Sequence, residues 1–148
     1  MDTNLTFGYG ISGIMDGIDG EISRHAAFLR FQDGGSAYDS IYVHTNDKPT
    51  IEGFVSDAFR AIISRFDGES KYATENGTAS ISFYLPDFDS DIFNATRDEI
   101  RRYVILSTTA SWLVYRSFAE YAKIVSVEAE ASMNRLVSFL RTRKFPIE

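Results

Sequence analysis

The stretch Ser70–Pro86, SKYATENGTASISFYLP, decides the fold class, because the periodicity of the chain changes there. Apolar side chains occupy every second position from Ile81 to Leu85, as in a half-buried strand. Asn76-Gly77 separates this run from an earlier extended one, and Asn-Gly favours a type I′ turn because both turn residues need positive φ. The stretch therefore predicts a β-hairpin over residues 70–85.

Helical spacing precedes the hairpin. Between Ile51 and Phe66, apolar residues recur at steps of three and four, which is the strongest amphipathic pattern in the chain. Thr45-Asn46-Asp47-Lys48-Pro49 is typical of a helix start with proline in the first turn, and Gly68 supplies a stop. The run Tyr38–His44 reads equally as a short strand or a loop.

Helical spacing also follows the hairpin. The carboxylates of Asp87–Asp91 favour the positive end of a helix dipole, so a third helix is expected to begin there. We expect it to break near Tyr115-Arg116. Ser117-Phe118-Ala119-Glu120 matches a capping box and predicts the start of a last helix that continues through Leu140.

The N-terminal segment divides into an arm and a helix. Residues 1–10 show no period and are interpreted as an extended arm. From Ile11 to Phe31 apolar residues follow helical steps, but Gly13, Gly17 and Gly20 interrupt the pattern, each at a cost of about 1 kcal/mol relative to alanine. This helix is therefore expected to depend on packing, or on the close approach of a neighbour at its glycine face.

The predicted fold is mainly α, with about four helices, one β-hairpin inserted between the second and third helices, and extended N- and C-terminal arms. We expect residues 1–148 to form one domain, since 148 residues suit a single core. Within it, residues 11–140 are the helical body and residues 141–148 the C-terminal arm.

Composition excludes several classes. The absence of cysteine excludes disulfides, thiol catalysis and cysteine-ligated metal centres. The absence of an apolar run of roughly 20 residues predicts that there is no transmembrane helix, and the N-terminus does not match a secretory signal. The net charge of −6 argues against a dedicated nucleic-acid binder.

Charge differs between the two halves of the sequence. Residues 1–99 carry 17 acidic and 7 basic side chains, a net charge of −10, and residues 100–148 carry 4 acidic and 8 basic ones, a net charge of +4. This asymmetry favours a surface that meets a charged neighbour. The alternative is that folding mixes the two sets of charges over one surface.

Few residues are candidates for catalysis or metal binding. His25 and His44 are the only histidines, and no His-x-x-x-His pair accompanies them. Asp87-x-Asp89-x-Asp91 opens like a calcium loop, but Ile92 occupies the sixth position, where that loop needs glycine. Helix capping and solvated charge are the better interpretation of these aspartates. We predict no catalytic residue, no metal site and no cofactor, hence a protein that is not an enzyme.

Candidate interaction residues lie at both ends of the chain. The basic segment that begins at Arg141 is either a cation cluster at a helix C-terminus or an arm that binds an acidic neighbour. The candidates for contact with another protein subunit are Phe7, Tyr9, Arg141, Arg143, Lys144 and Phe145.

The order of several short signals resembles a known class of proteins. The signals are Tyr38-Asp39-Ser40-Ile41, Thr45-Asn46-Asp47-Lys48-Pro49, Phe83-Tyr84-Leu85-Pro86, Trp112-Leu113 and Tyr121-Ala122. In this order, over residues 36–146, the chain is similar to the head–tail connector (adaptor, neck) proteins of tailed phages and prophages of Bacteroides-type bacteria. The glycine-rich first helix is not part of the resemblance.

The resemblance implies a structural virion protein, assembled in the bacterial host cytoplasm and located in the neck between head and tail. Its implied partners are copies of itself in a ring such as a dodecamer, the portal protein, and tail or other neck proteins. DNA would pass through the ring without specific binding, and no membrane is involved. The competing interpretation is a soluble, non-enzymatic binding or regulatory module with an acidic face.

Overall fold

The computed structural model describes residues 4–26, 43 and 45–143. It confirms a mainly helical fold with four helices and a β-hairpin between the second and third. The elements are β1 (Asn4–Gly10), α1 (Ile11–Ala26), α2 (Lys48–Arg65), β2 (Ser70–Glu75), β3 (Thr78–Tyr84), α3 (Phe93–Tyr115) and α4 (Ala119–Arg141). Short 3₁₀ turns, Thr45–Asp47 and Ser90–Ile92, precede α2 and α3.

The predicted hairpin is confirmed. β2 pairs with β3 in antiparallel register, and Glu75 lies opposite Thr78 across a two-residue turn. The φ angles of Asn76 and Gly77 are 51° and 76°, so both turn residues are in the left-handed region that a type I′ turn requires. The Asn-Gly pair therefore fixes the register of the hairpin.

The N-terminal segment is extended, but it is not a free arm. Asn4–Gly10 forms a third strand that pairs with β3, which gives the antiparallel order β1-β3-β2. Phe7 lies opposite Ile81, and Tyr9 lies opposite Ala79. The segment is extended, as predicted, but it is a strand of the sheet, because β3 and the core beneath the sheet hold it.

Helix α3 is the central element of the helical layer, where it packs against α1, α2 and α4. Its side chains Ile100, Val104 and Trp112 are fully buried. The buried apolar side chains of the sheet and of all four helices form one core cluster. The helices thus cover one face of the sheet, and Thr6, Ser82 and other polar side chains occupy the opposite face.

The connection between α3 and α4 differs in chemistry from the prediction. The break lies at Arg116, as expected, but Ser117 does not cap α4, which begins at Ala119 without a side-chain cap. Ser117 has φ 71°, its N–H donates to Val114 O, and the N–H of Phe118 donates to Leu113 O at 2.8 Å. These two bonds form a Schellman motif that ends α3, so the predicted capping box is wrong.

Helix α3 also starts later than predicted. Asp89 caps the preceding 3₁₀ turn, because its Oδ1 accepts from the N–H of Asp91 at 3.0 Å. This bond confirms the capping interpretation for Asp89. The predicted end of α1 at Phe31, the Tyr38–His44 run apart from Val43, and residues 144–148 lie outside the described residues.

Candidate interaction surfaces

The two predicted N-terminal contact residues are part of the core. Phe7 is fully buried, stacks on Phe93 with ring centroids 4.7 Å apart, and meets Phe83 edge-on. Tyr9 is 5% exposed, and its hydroxyl donates to the carbonyl of Arg97 at 2.8 Å. Both side chains are therefore buried within the single chain, and they contribute to its core rather than to its exposed surface.

A sequence signal for this burial was available. Leu5, Phe7 and Tyr9 alternate with Thr6, Gly8 and Gly10, which is the period of a half-buried strand. Only three apolar residues carry the pattern, and two of the alternating positions are glycines, so the segment resembles an irregular arm. The partner strand β3 lies more than 65 residues away in sequence, and the pairing therefore has no local signature.

The predicted C-terminal residues have different roles. Arg141, the last residue of α4, is exposed and forms an ion pair with Asp67 at 3.3 Å. Arg143 Nη1 donates to the carbonyl of Leu140 at 2.6 Å, and Arg143 forms a β-bridge with Phe88. Arg143 thus satisfies the end of α4, as the helix-terminus interpretation expects. Lys144 and Phe145 lie outside the described residues.

Charges from the two halves of the sequence meet within the chain. Arg135 pairs with Glu99 at 3.1 Å, and the hydroxyl of Ser132 donates to the same carboxylate. Conversely, the basic residue Arg65 of the first half pairs with the acidic residue Glu130 of the second half at 2.7 Å. Intramolecular pairing therefore accounts for part of the charge asymmetry. The Arg65–Glu130 pair is exposed on both sides, and a pair of that kind stabilises a protein by only about 0–1 kcal/mol.

His25 joins the end of α1 to the start of α4. It is buried, its Nδ1 lies 2.8 Å from the hydroxyl of Tyr121, and its Nε2 lies 3.1 Å from Glu21 Oε1. Both ring nitrogens therefore have a hydrogen-bond partner within the chain. This arrangement favours a packing role, as the sequence indicated; His44 lies outside the described residues.

Apolar side chains are exposed at one end of the α3–α4 pair. Val114 and Tyr115, at the end of α3, are 55% and 56% exposed, and Ile124 and Val127, on α4, are 54% and 71% exposed. We name these four residues the α3–α4 patch. Since α4 starts at Ala119 and rises about 1.5 Å per residue, all four lie within about 12 Å of the connection along the helix axes.

The geometry of α4 explains why this apolar surface is not part of the core. Ala122, Val125 and Ala129 face the core, whereas Ile124 and Val127, three positions apart, share the outer face. No charged residue lies between Ile124 and Val127 on α4. The helical spacing of α4 predicts one apolar stripe, which includes Ala122, Val125 and Ala129, and Ile124 and Val127 lie outside it.

Metal ligands, cavities and helix hydrophobicity are the remaining features of the described surface. Within residues 4–26 and 45–143, no three His, Asp or Glu side chains are grouped so that they could hold a metal ion. An open cavity of about 470 Å³ lies at the end of α4, where Arg65 and Arg141 line it, and both are already ion-paired. No helix in these ranges combines the length and apolar character needed to cross a bilayer.

Comparisons with known proteins do not assign a family. No family model, no curated protein and no solved structure matches this chain.

Proposed function

We propose that this protein is a structural subunit that assembles with copies of itself into a ring, acting as an adaptor between the portal and the tail of a tailed-phage particle. The resemblance of the sequence to head–tail connectors supplies the place in the particle. The α3–α4 patch is the observation that supports self-association.

Exposed apolar side chains favour association. Burying a valine or isoleucine side chain that would otherwise face water is worth about 1.5–3 kcal/mol. Val127 and Ile124 retain more than half of their accessible surface in the single chain, on a face turned away from its core. A neighbouring subunit that covers this face recovers the part of that free energy that corresponds to the surface still exposed. A contact between unlike surfaces closes into a ring when the rotation permits.

The polar residues in the described part of the chain support a structural role. His25 and Glu99 have protein partners that join one helix to another. Arg143 satisfies the end of its own helix. These contacts stabilise the fold, so the outer faces of the helices are the surface that we propose for contact with neighbouring subunits.

Substitutions on the outer face of α4 test the proposal. Ile124→Asp and Val127→Asp place a charge where we propose that a neighbour docks, so ring assembly with the portal should be lost while the helical circular dichroism signal stays. Asn134→Asp, an exposed change further along α4, is the matched control and should assemble normally. Assembly of Val127→Asp at the wild-type level would reject the patch as the contact surface.

A further inference from the structure

The edge of the sheet that β2 forms leads to a second inference, which does not depend on the proposed function. β2 lies at one edge of the order β1-β3-β2, and within residues 4–26 and 45–143 no strand pairs with its outer side. An unpaired edge strand presents a row of N–H and C=O groups that another chain can use. The question is which strand fits this row.

The hydrogen-bond phase of β2 identifies the outward-facing backbone groups. In a two-residue hairpin the residues that flank the turn form a hydrogen-bonded pair, here Glu75 and Thr78, and the N–H of Tyr84 donates to Glu69 O at 2.9 Å in the same phase. Lys71, Ala73 and Glu75 therefore point their backbone groups towards β3. The backbone groups of the alternate residues, Ser70, Tyr72 and Thr74, point outwards.

We propose that β2 pairs with β2 of a second copy in an antiparallel, two-fold register in which Tyr72 lies opposite Thr74 and Lys71 lies opposite Glu75. This register satisfies the backbone geometry, because the outward-facing residues oppose each other. Ala73 then lies opposite its own copy on the two-fold axis. The symmetry creates the Lys71–Glu75 contact twice.

The charges favour this register. Lys71 and Glu75 are exposed on the polar face of the sheet, and neither forms an ion pair with another residue of the described chain. Their pairs fall at non-hydrogen-bonded positions, where Cα atoms of opposing residues are only about 4.5 Å apart. In the neighbouring register, with Tyr72 opposite its own copy, Lys71 would face Ala73 and no ion pair would form.

A second copy fits this edge better through β2 than through β1. The strand Asn4–Gly10 has no charged residue, so it offers nothing to Lys71 or Glu75. Tyr72 is already fixed by stacking on Phe59 at 4.8 Å, so β2 is held in place before it pairs. Stable interfaces bury roughly 1,200–2,000 Å² of surface. An edge strand of six residues buries much less, so we expect the dimer to be weak and concentration-dependent.

Charge exchange tests the register. We expect Lys71→Glu alone and Glu75→Lys alone to weaken the dimer about tenfold or more in sedimentation velocity, because each places like charges opposite each other twice. An equimolar mixture of the two variants should restore dimers, since both glutamates of one chain then face both lysines of the other. Single variants that dimerise like wild type, or a mixture that stays monomeric, would overturn the proposal.

Cysteine cross-linking tests the same register independently of charge. The chain has no cysteine, so an Ala73→Cys variant can form only an intermolecular disulfide. We expect mild oxidation to give a covalent dimer of Ala73→Cys. Lys71→Cys is the matched control, because residue 71 lies four positions from its own copy, roughly 13 Å, and should stay monomeric. A monomeric Ala73→Cys, or equal cross-linking of both variants, would reject the two-fold pairing.

These results are separable from those that test ring assembly. The β2 variants leave Ile124 and Val127 unchanged, and the α4 variants leave Lys71 and Glu75 unchanged. Loss of the β2 dimer without loss of the ring, or the converse, identifies which contact is absent.

Discussion

Gly17 of α1 lies directly against Ile105 of α3: a Cβ atom added at Gly17 would be 2.5 Å from Ile105 Cδ1 and 3.0 Å from Arg101 Nη2. The two helices approach this closely because glycine has no side chain. The sequence-based expectation of a close neighbour at the glycine face is thus confirmed at this position. Gly13 and Gly20, on the same helix, have open space where a Cβ would be.

Substitution by alanine should therefore change the free energy of unfolding in opposite directions at Gly17 and at the other two glycines. At Gly17 the overpacking cost of about 1–3 kcal/mol, which arises because buried Ile105 has to move, exceeds the gain in helix propensity, so Gly17→Ala should lower the free energy of unfolding by up to about 2 kcal/mol. Gly13→Ala and Gly20→Ala should each raise it by about 0.5–1 kcal/mol through helix propensity alone. Urea unfolding of the three variants measures this; stabilisation by Gly17→Ala would contradict the close contact.

Ser117 occupies a backbone conformation that favours glycine. Its φ of 71° is costly for a residue with a Cβ, and the side chain is exposed. Ser117→Gly should raise the free energy of unfolding by about 1 kcal/mol. Ser126→Gly, an exposed change inside α4, should lower it by a similar amount. Equal effects of the two substitutions in thermal or urea unfolding would be inconsistent with the Schellman motif.

The hydroxyl of Tyr9 links β1 to α3 and predicts a pH effect. Burial raises the pKa of Tyr9 above its ordinary value, whereas the pKa of the same side chain in the unfolded chain is about 10. The folded state therefore holds the proton longer, and the stability it contributes is present below pH 10 and falls as the pH rises towards the folded-state pKa.

Tyr9→Phe isolates this effect. At pH 7 the variant should be less stable by about 0.5–1.5 kcal/mol, because the bond to the Arg97 carbonyl is lost. Above pH 10 the wild type should lose up to about 1.4 kcal/mol per pH unit that the variant does not lose, so the difference should shrink. Urea unfolding at pH 7, 9 and 10.5 is the measurement. A constant difference over this range would show that the group is not buried as described.

Two neighbouring threonines of α3 predict a contrast. Thr108 and Thr109 are both fully buried, but Thr109 Oγ1 donates to Ile105 O at 2.8 Å, whereas Thr108 Oγ1 has no hydrogen-bond partner among the described residues. Thr108→Val should be neutral or raise the free energy of unfolding by about 1 kcal/mol, since a buried unpaired hydroxyl is removed. Thr109→Val, the matched control, should not be stabilising. The reverse order in unfolding experiments would indicate that Thr108 has a partner.

Elements with a local cause could be predicted from the sequence. Asn76-Gly77 determines the hairpin turn because the positive φ values are a property of these two residues. The amphipathic spacing before Phe66 and the break near Arg116 are similarly local, and both are confirmed.

Features that depend on distant partners have weak or no local signals in the sequence. β1 is a strand because β3, far along the chain, pairs with it, and the same pairing buries Phe7 and Tyr9. Ser117 matched a capping pattern, yet the requirement to end α3 gave it another conformation. The exposure of Val127 follows from where α3 lies against α4, which the sequence of α4 alone does not determine.

The mass of the protein in solution, measured with and without portal protein, distinguishes ring assembly from a small soluble module. We predict that mass photometry with the portal gives one discrete complex that contains many copies of the chain, and that Val127→Asp abolishes it. A mass that never exceeds that of a dimer, at any concentration and with the portal present, would contradict ring assembly and favour the soluble binding module.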